Sequence, residues 1–263
     1  MEFIKITHEN LEKEHICCAI SNNKDCQVAS KKAWMKERLD EGLVFLKGNV
    51  RGKCFIEYIP AEHAWSPIEA EGYMYIDCLW VSGQFKGQGY SNQLLEECIM
   101  DSKEKGKKGL VILSSKKKMG YLSDHKFMTY KGFEVADTAE PYFELLYLPF
   151  DKDAKKPCFH SSVKEMLRKD MTRKDMTRDD MPKGFVVYYT SQCPFTAKYV
   201  PILENLAKEK NVELHAVHMT TGEEARNAPV PFTTFSLFYD GEFITHEILS
   251  EKKFEKLITE KGL

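Results

Sequence analysis

Two hydrophobic regimes, period two and period 3.6, take turns along the chain. Residues 3–6 alternate as a strand does, and Thr7 with Asn10 offers caps for a helix running to about residue 20. Residues 31–40 repeat at helical spacing and stop near Gly42. Two short strands, 43–46 and 53–59, meet at Gly48-Asn49. Tyr73 to Val81 is apolar at nearly every position, as an interior strand covered on both faces would be. A glycine-containing loop leads to a helix over 92–105 with the stripe Leu94, Leu95, Cys98 and Ile99. Residues 109–113 form another buried strand. A helix around 124–131 ends at Gly132, and strands near 133–136 and 142–148 follow.

The texture changes at residue 151. Charged residues crowd the next stretch, and Lys-Asp-Met-Thr-Arg occurs twice in tandem, at 169–173 and 174–178. A five-residue period suits neither helix stripe nor strand, so a solvated, partly helical linker is expected. Packing of Met166, Met171 and Met181 onto a neighbouring domain is the alternative. From residue 184 the regular patterns return: a strand over 184–189, a helix to about 210, a strand over 212–219, a short polar helix, Pro229-Val-Pro231, a hairpin about Asp240-Gly241, and a last helix from Ser250 to 261. The expected fold class is α/β, of mixed α+β character. A first domain spans 1–150, a charged linker 151–183, and a smaller α/β domain 184–263.

Composition narrows the function. With 43 % hydrophobic and 30 % charged residues the chain can bury a core. Lys plus Arg (38) against Asp plus Glu (40) leaves a net charge of −2, which argues against nucleic acid or an anionic membrane as partner. No apolar run approaches the roughly 18 residues of a membrane-spanning helix, and residues 1–14 lack an apolar signal core. The eight cysteines include no C-x-x-C pair and no zinc-spaced cluster, so neither a disulfide framework nor a metal is expected. A cytoplasmic enzyme or binding protein fits these features.

The informative segment is Val81-Ser-Gly-Gln-Phe-Lys-Gly-Gln-Gly-Tyr-Ser-Asn-Gln-Leu-Leu95. Glycines between a buried strand and a helix start let backbone N–H groups converge where the helix dipole favours an anion, a phosphate or pyrophosphate above all. The spacing is neither that of a Walker loop nor that of a Rossmann fingerprint. Asp77 in the apolar strand and Glu57 on its expected neighbour are the carboxylates placed to accept a proton. Desolvation would raise the pKa of Asp77, as suits a base. In the alternative reading Asp77 only bonds backbone or nearby tyrosines.

This run resembles motif A of the GNAT acetyltransferase superfamily, R/Q-x-x-G-x-G/A, with Lys86 at the first position, Gly89 at the glycine and Ser91 at the last. Gly87, Gln88 and Tyr90 fill the positions between. A register through Gln84, Gly87 and Gly89 fits the letters better and the helix worse. Phe127-Met-Thr-Tyr-Lys-Gly-Phe133 is similar to the family's F-Y-x-K-x-G-F, with Met128 where the family often carries the tyrosine that protonates the leaving thiolate. Tyr130 offers a hydroxyl two residues on, about 200° around the helix. The resemblance implies an acyl-CoA N-acyltransferase fold with a mixed central sheet over 1–150, acetyl-CoA as cosubstrate and an amine acceptor that attacks the thioester directly. It implies that the pantetheine amides pair with the strand end at Leu79 and Val81, whose N–H groups polarise the carbonyl.

Residues 184–263 resemble a thioredoxin- or glutaredoxin-like unit, with Cys193 at the first strand–helix junction, Thr196 in place of the resolving cysteine and Pro231 as the cis-proline. A helix start stabilises a thiolate, so Cys193 is expected to be the most reactive thiol. A monothiol redox or binding protein working through Cys193, with the first unit only binding CoA, is therefore the rival reading; in the alternative the unit keeps its fold for docking or for shaping the acceptor pocket. The combination of the two units is similar to the YoaP-like acetyltransferases.

Overall fold

The computed structural model describes residues 1–16, 18, 22–151, 153–167 and 182–263. In chain order the first unit comprises β1 (Phe3–Lys5), α1 (Cys26–Leu39), β2 (Val44–Gly48), β3 (Cys54–Pro60), β4 (Ile68–Glu69), β5 (Tyr73–Val81) and α2 (Tyr90–Glu104). It continues through β6 (Gly109–Ser115), β7 (Ser123–Asp124), α3 (His125–Tyr130), β8 (Glu134–Ala139) and β9 (Phe143–Pro149). Its sheet has the order β1-β2-β3-β5-β6-β9-β8, with β7 paired to β6. The neighbours β5 and β6 run parallel and β6–β7 does too, while the other pairs are antiparallel. The sheet is thus mixed, as the resemblance drawn from the motifs implies.

Both faces of the sheet are covered, which is why β5 and β6 read as continuous apolar runs. One face packs against α2 and α3 through Met74, Ile76, Leu94, Leu95, Cys98 and Met128. The other packs against α1 through Tyr73, Tyr75, Val28, Trp34 and Met35. Asp25 caps α1, its carboxylate accepting from the Gln27 N–H at 2.9 Å, so this helix starts earlier than the apolar spacing suggests.

The helix expected from Thr7 to residue 20 is not formed over the described part of that stretch, which is a series of turns. The Thr7 N–H donates to Asn10 Oδ1 at 2.8 Å, and Asn10 Nδ2 donates back to the Lys5 carbonyl at 2.9 Å. These local bonds satisfy the backbone without a helix ladder.

The stretch expected as linker begins with structure of its own. There β10 (Cys158–Phe159) pairs with β4, and α4 (Ser161–Leu167) packs by β8 and buries Val163 and Leu167 in the same core as Trp34 and Met35. Asp137 on β8 holds this return, accepting from the Phe159 N–H at 2.9 Å and from Lys164 Nζ at 2.8 Å. Sequence reading missed it because scattered apolar residues among many charges carry no clean period. The tandem repeats, Met171, Met181 and the side chain of Met166 lie outside the described residues.

The second unit contains β11 (Phe185–Tyr189), α5 (Pro194–Glu209), β12 (Leu214–His218), α6 (Gly222–Arg226), β13 (Phe235–Tyr239), β14 (Glu242–Thr245) and α7 (Glu251–Glu260). Its sheet has the order β12-β11-β13-β14, with β11–β12 parallel and the rest antiparallel. Alternation along β11 divides its side chains. Phe185 and Val187 pack on α5 and α7, whereas Val186 joins Phe238, Val230, Ala228 and Ala225 in the core shared with the first unit. The two units are therefore fused by apolar packing.

Candidate active site

The parallel ladder between β5 and β6 ends at the pair Ile76–Ile112. Beyond it β6 turns to β7, where Ser114 Oγ donates to the Ser123 carbonyl at 2.8 Å, while β5 continues along β3 alone. The two central strands thus part at Asp77, and the backbone of Leu79 to Val81 borders the opening.

A β-bulge sits at the same place. Glu57 on β3 pairs with Cys78, and Tyr58 pairs with Ile76, so Asp77 is the extra residue of β5. Tyr73 and Tyr75 before the bulge and Cys78 and Trp80 after it all face the α1 side. Met74, Ile76, Leu79 and Val81 face the α2 side. By this parity Asp77 and Cys78 share one face, directly beside Glu57.

Three elements converge there. From α1, Lys31 Nζ donates to Glu57 Oε1 at 2.7 Å, both side chains being at most 2 % exposed. Burial works against the Lys31 charge, but the adjoining Glu57 carboxylate, helped by Cys18 and Asp77, offsets it and the ammonium pKa is raised. From the second unit, Gln192 Nε2 donates to Asp77 Oδ1 at 2.7 Å. Asp77 Oδ2 is buried with no hydrogen-bond partner. Burial holds the Asp77 carboxyl well above the usual aspartate range, reinforced by the Glu57 charge and opposed by Lys31 and the Gln192 amide. Cys78 beside it is likewise pushed well up by burial.

The glycine loop lies beyond the strand end. Gly83 to Phe85 form a 3-10 turn, and α2 starts at Tyr90 with Gly89 as its N-cap. The earlier helix start, at 90 rather than 92, places the Tyr90 and Ser91 N–H groups in its first turn. Gly83, Gly87 and Gly89 take positive φ of 62°, 74° and 80°, and a Cβ on any of them would meet nothing within 4 Å. These glycines serve backbone conformation and leave the space above the loop clear for a ligand. Lys86, Gly87, Gln88 and Gly89 are exposed, and Gln88 Nε2 donates to the Gln84 carbonyl.

Other expected site residues fall elsewhere. Tyr130 is 83 % exposed at the end of α3, its ring beside Lys131, while Met128 fills the core at 1 % exposure. The 200° between them turns Tyr130 to solvent. Cys193 caps α5, but its thiol is raised to about 11 because burial against the first unit outweighs the helix start and the Phe195 N–H. Thr196 is buried, donating to the carbonyls of Thr190 (2.8 Å) and Cys193 (2.7 Å). The Val230–Pro231 bond is trans; among the described residues Glu140–Pro141 is the cis peptide. Val230 and Pro231 are buried at the junction of the units, and Thr233 Oγ1 donates to the Trp65 carbonyl, so this segment serves docking.

The second unit also grips the loop after β6. His246 Nε2 donates to the Gly120 carbonyl at 2.8 Å, which fixes Nδ1 as acceptor of the Tyr142 hydroxyl at 2.7 Å. Glu247 Oε1 accepts from the Gly120 N–H at 3.1 Å. Neither His246 nor Gln192 carried a motif signal, since each acts through a contact distant in sequence. A separate surface cleft of about 330 Å³ lies by the opposite end of β5, lined among others by Glu62, Lys108 and Arg226.

Comparison with known proteins agrees with this architecture. The model of the acetyltransferase (GNAT) family matches residues 8–120, and a YoaP-like model matches residues 213–256. The uncharacterized N-acetyltransferase YoaP of Bacillus subtilis (strain 168) is 44 % identical over 259 residues, 98 % of each chain. Among solved structures, a ribosomal-protein-alanine N-acetyltransferase from Brucella melitensis is 17 % identical with a TM-score of 0.39, covering 56 % of this chain and 97 % of its own. A GNAT family acetyltransferase from the same organism, in complex with acetyl-CoA, is 13 % identical with a TM-score of 0.38, covering 61 % and 96 %. With two family models matched and a relative this similar along nearly its whole length, the chain belongs to the GNAT acetyltransferase family, in the branch that carries a YoaP-like domain.

Proposed function

We propose that the protein is an acetyl-CoA-dependent N-acetyltransferase acting on an amine, and that it works in the cytoplasm without nucleic acid or membrane as partner. The observation that carries this reading is the parting of β5 and β6 at a bulge whose extra residue bears a carboxyl group with one oxygen buried and unpartnered. Acetyl-CoA would supply the activated acetyl thioester, with Lys86, Gly87, Gln88, Gly89, Tyr90 and Ser91 holding its pyrophosphate. Leu79 and Val81 border the gap that would admit the pantetheine arm, and their N–H groups would polarise the acetyl carbonyl.

An amine must be neutral to attack. Asp77 Oδ2, buried and unpartnered, accepts the proton, and its raised pKa suits that task. Glu57 is committed to Lys31 and acts on Asp77 through its charge. Domain bounds follow the cores: the transferase unit takes in β10 and α4 and therefore extends to residue 167. The strand order of the second unit supports its thioredoxin-like reading, yet a high thiol pKa at Cys193 and a hydroxyl at Thr196 favour docking over redox chemistry. Calorimetric titration with acetyl-CoA, followed by mass analysis of amines incubated with both, tests the assignment. Absence of acetyl-CoA binding would overturn it.

A further inference from the structure

The hydrogen bond from Gln192 to Asp77 joins residues 115 apart in the sequence and crosses from one unit to the other. Its donor is not a loose surface side chain. The Gln192 N–H lies 3.4 Å from Thr190 Oγ1, the Thr190 N–H 3.4 Å from the Thr234 carbonyl, and Thr196 ties the carbonyls of Thr190 and Cys193 together. The unit that carries this loop is seated on the first unit at two further places, by Thr233 on Trp65 and by His246 with Glu247 on Gly120. The acceptor of the bond is equally particular. Asp77 presents one oxygen to Gln192 and leaves the other buried without a partner.

We propose that Gln192 is a positioning residue for acyl transfer: its amide fixes Oδ1 of Asp77 and leaves Oδ2 as the oxygen that meets the acceptor's proton, so that the active site is assembled from both units. This rests on the acetyltransferase reading and deepens it. A bond serving only to glue the units together would more simply end on a backbone carbonyl, as Thr233 does on Trp65. Instead it ends on the one carboxylate that the bulge places at the opening.

The groups facing Asp77 are Glu57 from β3, Lys31 from α1, Tyr75 from β5 and Gln192 from the second unit, with Cys18, Cys78 and Cys193 set around Lys31 and Glu57. Of these, Lys31 and Gln192 favour the charged carboxylate. Replacing Gln192 by methionine keeps the length and removes the donor. The Asp77 titration, followed by infrared spectroscopy of ¹³C-aspartate-labelled full-length protein against an Asp77→Asn blank, should then move up by about one pH unit, as loss of a hydrogen bond to a charged group implies. With benzylamine as probe amine, the acidic limb of kcat/KM should move by the same amount, while acetyl-CoA affinity by calorimetry stays within about twofold.

Gln192→Glu, close in shape, serves as second variant; its added carboxylate should move the titration further in the same direction. A titration and rate limb unmoved in either folded variant would overturn the proposal. Wild-type protein that binds no acetyl-CoA would instead overturn the underlying reading, whatever the infrared result.

Discussion

Lys31 Nζ and Glu57 Oε1 stand 2.7 Å apart where neither side chain meets solvent. Such a pair contributes little net stability over an apolar pair of the same shape, but removal of one partner strands a charge in the core. Lys31→Met should therefore cost about 3–5 kcal/mol in urea unfolding, and the double variant Lys31→Met/Glu57→Leu should recover much of that loss. A double variant no better than the single would show that the pair's role is not electrostatic.

Asp77→Asn separates chemistry from stability. Acyl transfer should fall by roughly 10²–10⁴ with acetyl-CoA binding retained. The folded pKa of Asp77 is raised, so the native state holds the proton more tightly than the unfolded chain, and stability is lost as pH rises from the ordinary aspartate pKa toward the folded one. Asparagine cannot ionise and should raise Tm at neutral pH. Thermal unfolding of both proteins from pH 4 to 8 checks the sign.

If the loop holds the pyrophosphate as proposed, Gly89→Glu should weaken acetyl-CoA binding by about tenfold or more, because a negative side chain at the start of α2 would oppose it. Open space above Gly89 means that the new side chain meets no protein atom, although its φ of 80° adds strain. Gly89→Asn, which tolerates that φ, controls for the strain and should keep most of the affinity; calorimetry distinguishes the two.

His246 gives the contact between the units a pH dependence. Burial lowers its pKa, so the unfolded chain binds more protons and stability rises with pH across the window. The contribution is complete above the ordinary histidine pKa and is lost as pH falls below it toward the folded value. Tyr142→Phe leaves Nδ1 without its donor and should cost about 1–3 kcal/mol at pH 8. Hydrogen exchange at residues 118–122 should rise in parallel.

Cys193 should be a slow thiol. With its pKa raised to about 11, little thiolate exists near neutral pH, and exposed Cys26 should be alkylated first. Timed alkylation with peptide mapping reads the order. Cys193→Ser should retain acyl transfer.

Much of this fold is legible in residue patterns because period and punctuation agree. Tyr73–Val81, the α2 stripe and the hairpin at Asp240-Gly241 stand where apolar spacing and turn residues put them. The failures have one cause in common: they depend on what a segment meets, not on what it contains. Thr7 and Asn10 signal a cap equally well for a helix or for a closed turn. Helix starts favour thiolates, but Cys193 lies under another unit. Gln192 sits in an ordinary polar loop and becomes informative only opposite Asp77. The bulge was invisible for a more specific reason. A strand buried on both faces has no polar–apolar alternation for an extra residue to break.

That extra residue separates what the fold requires from what the site requires. Remove Asp77, and Ile76 is followed directly by Cys78. Since Cys78 and Trp80 already face the α1 side and Leu79 and Val81 the α2 side, every remaining side chain of the strand keeps its present face, and the ladder with β3 becomes continuous. The single deletion thus leaves a well-formed strand without its bulge, its carboxylate or the bond to Gln192. In the arithmetic of strand pairing, residue 77 is supernumerary: the ladder with β3 closes without it.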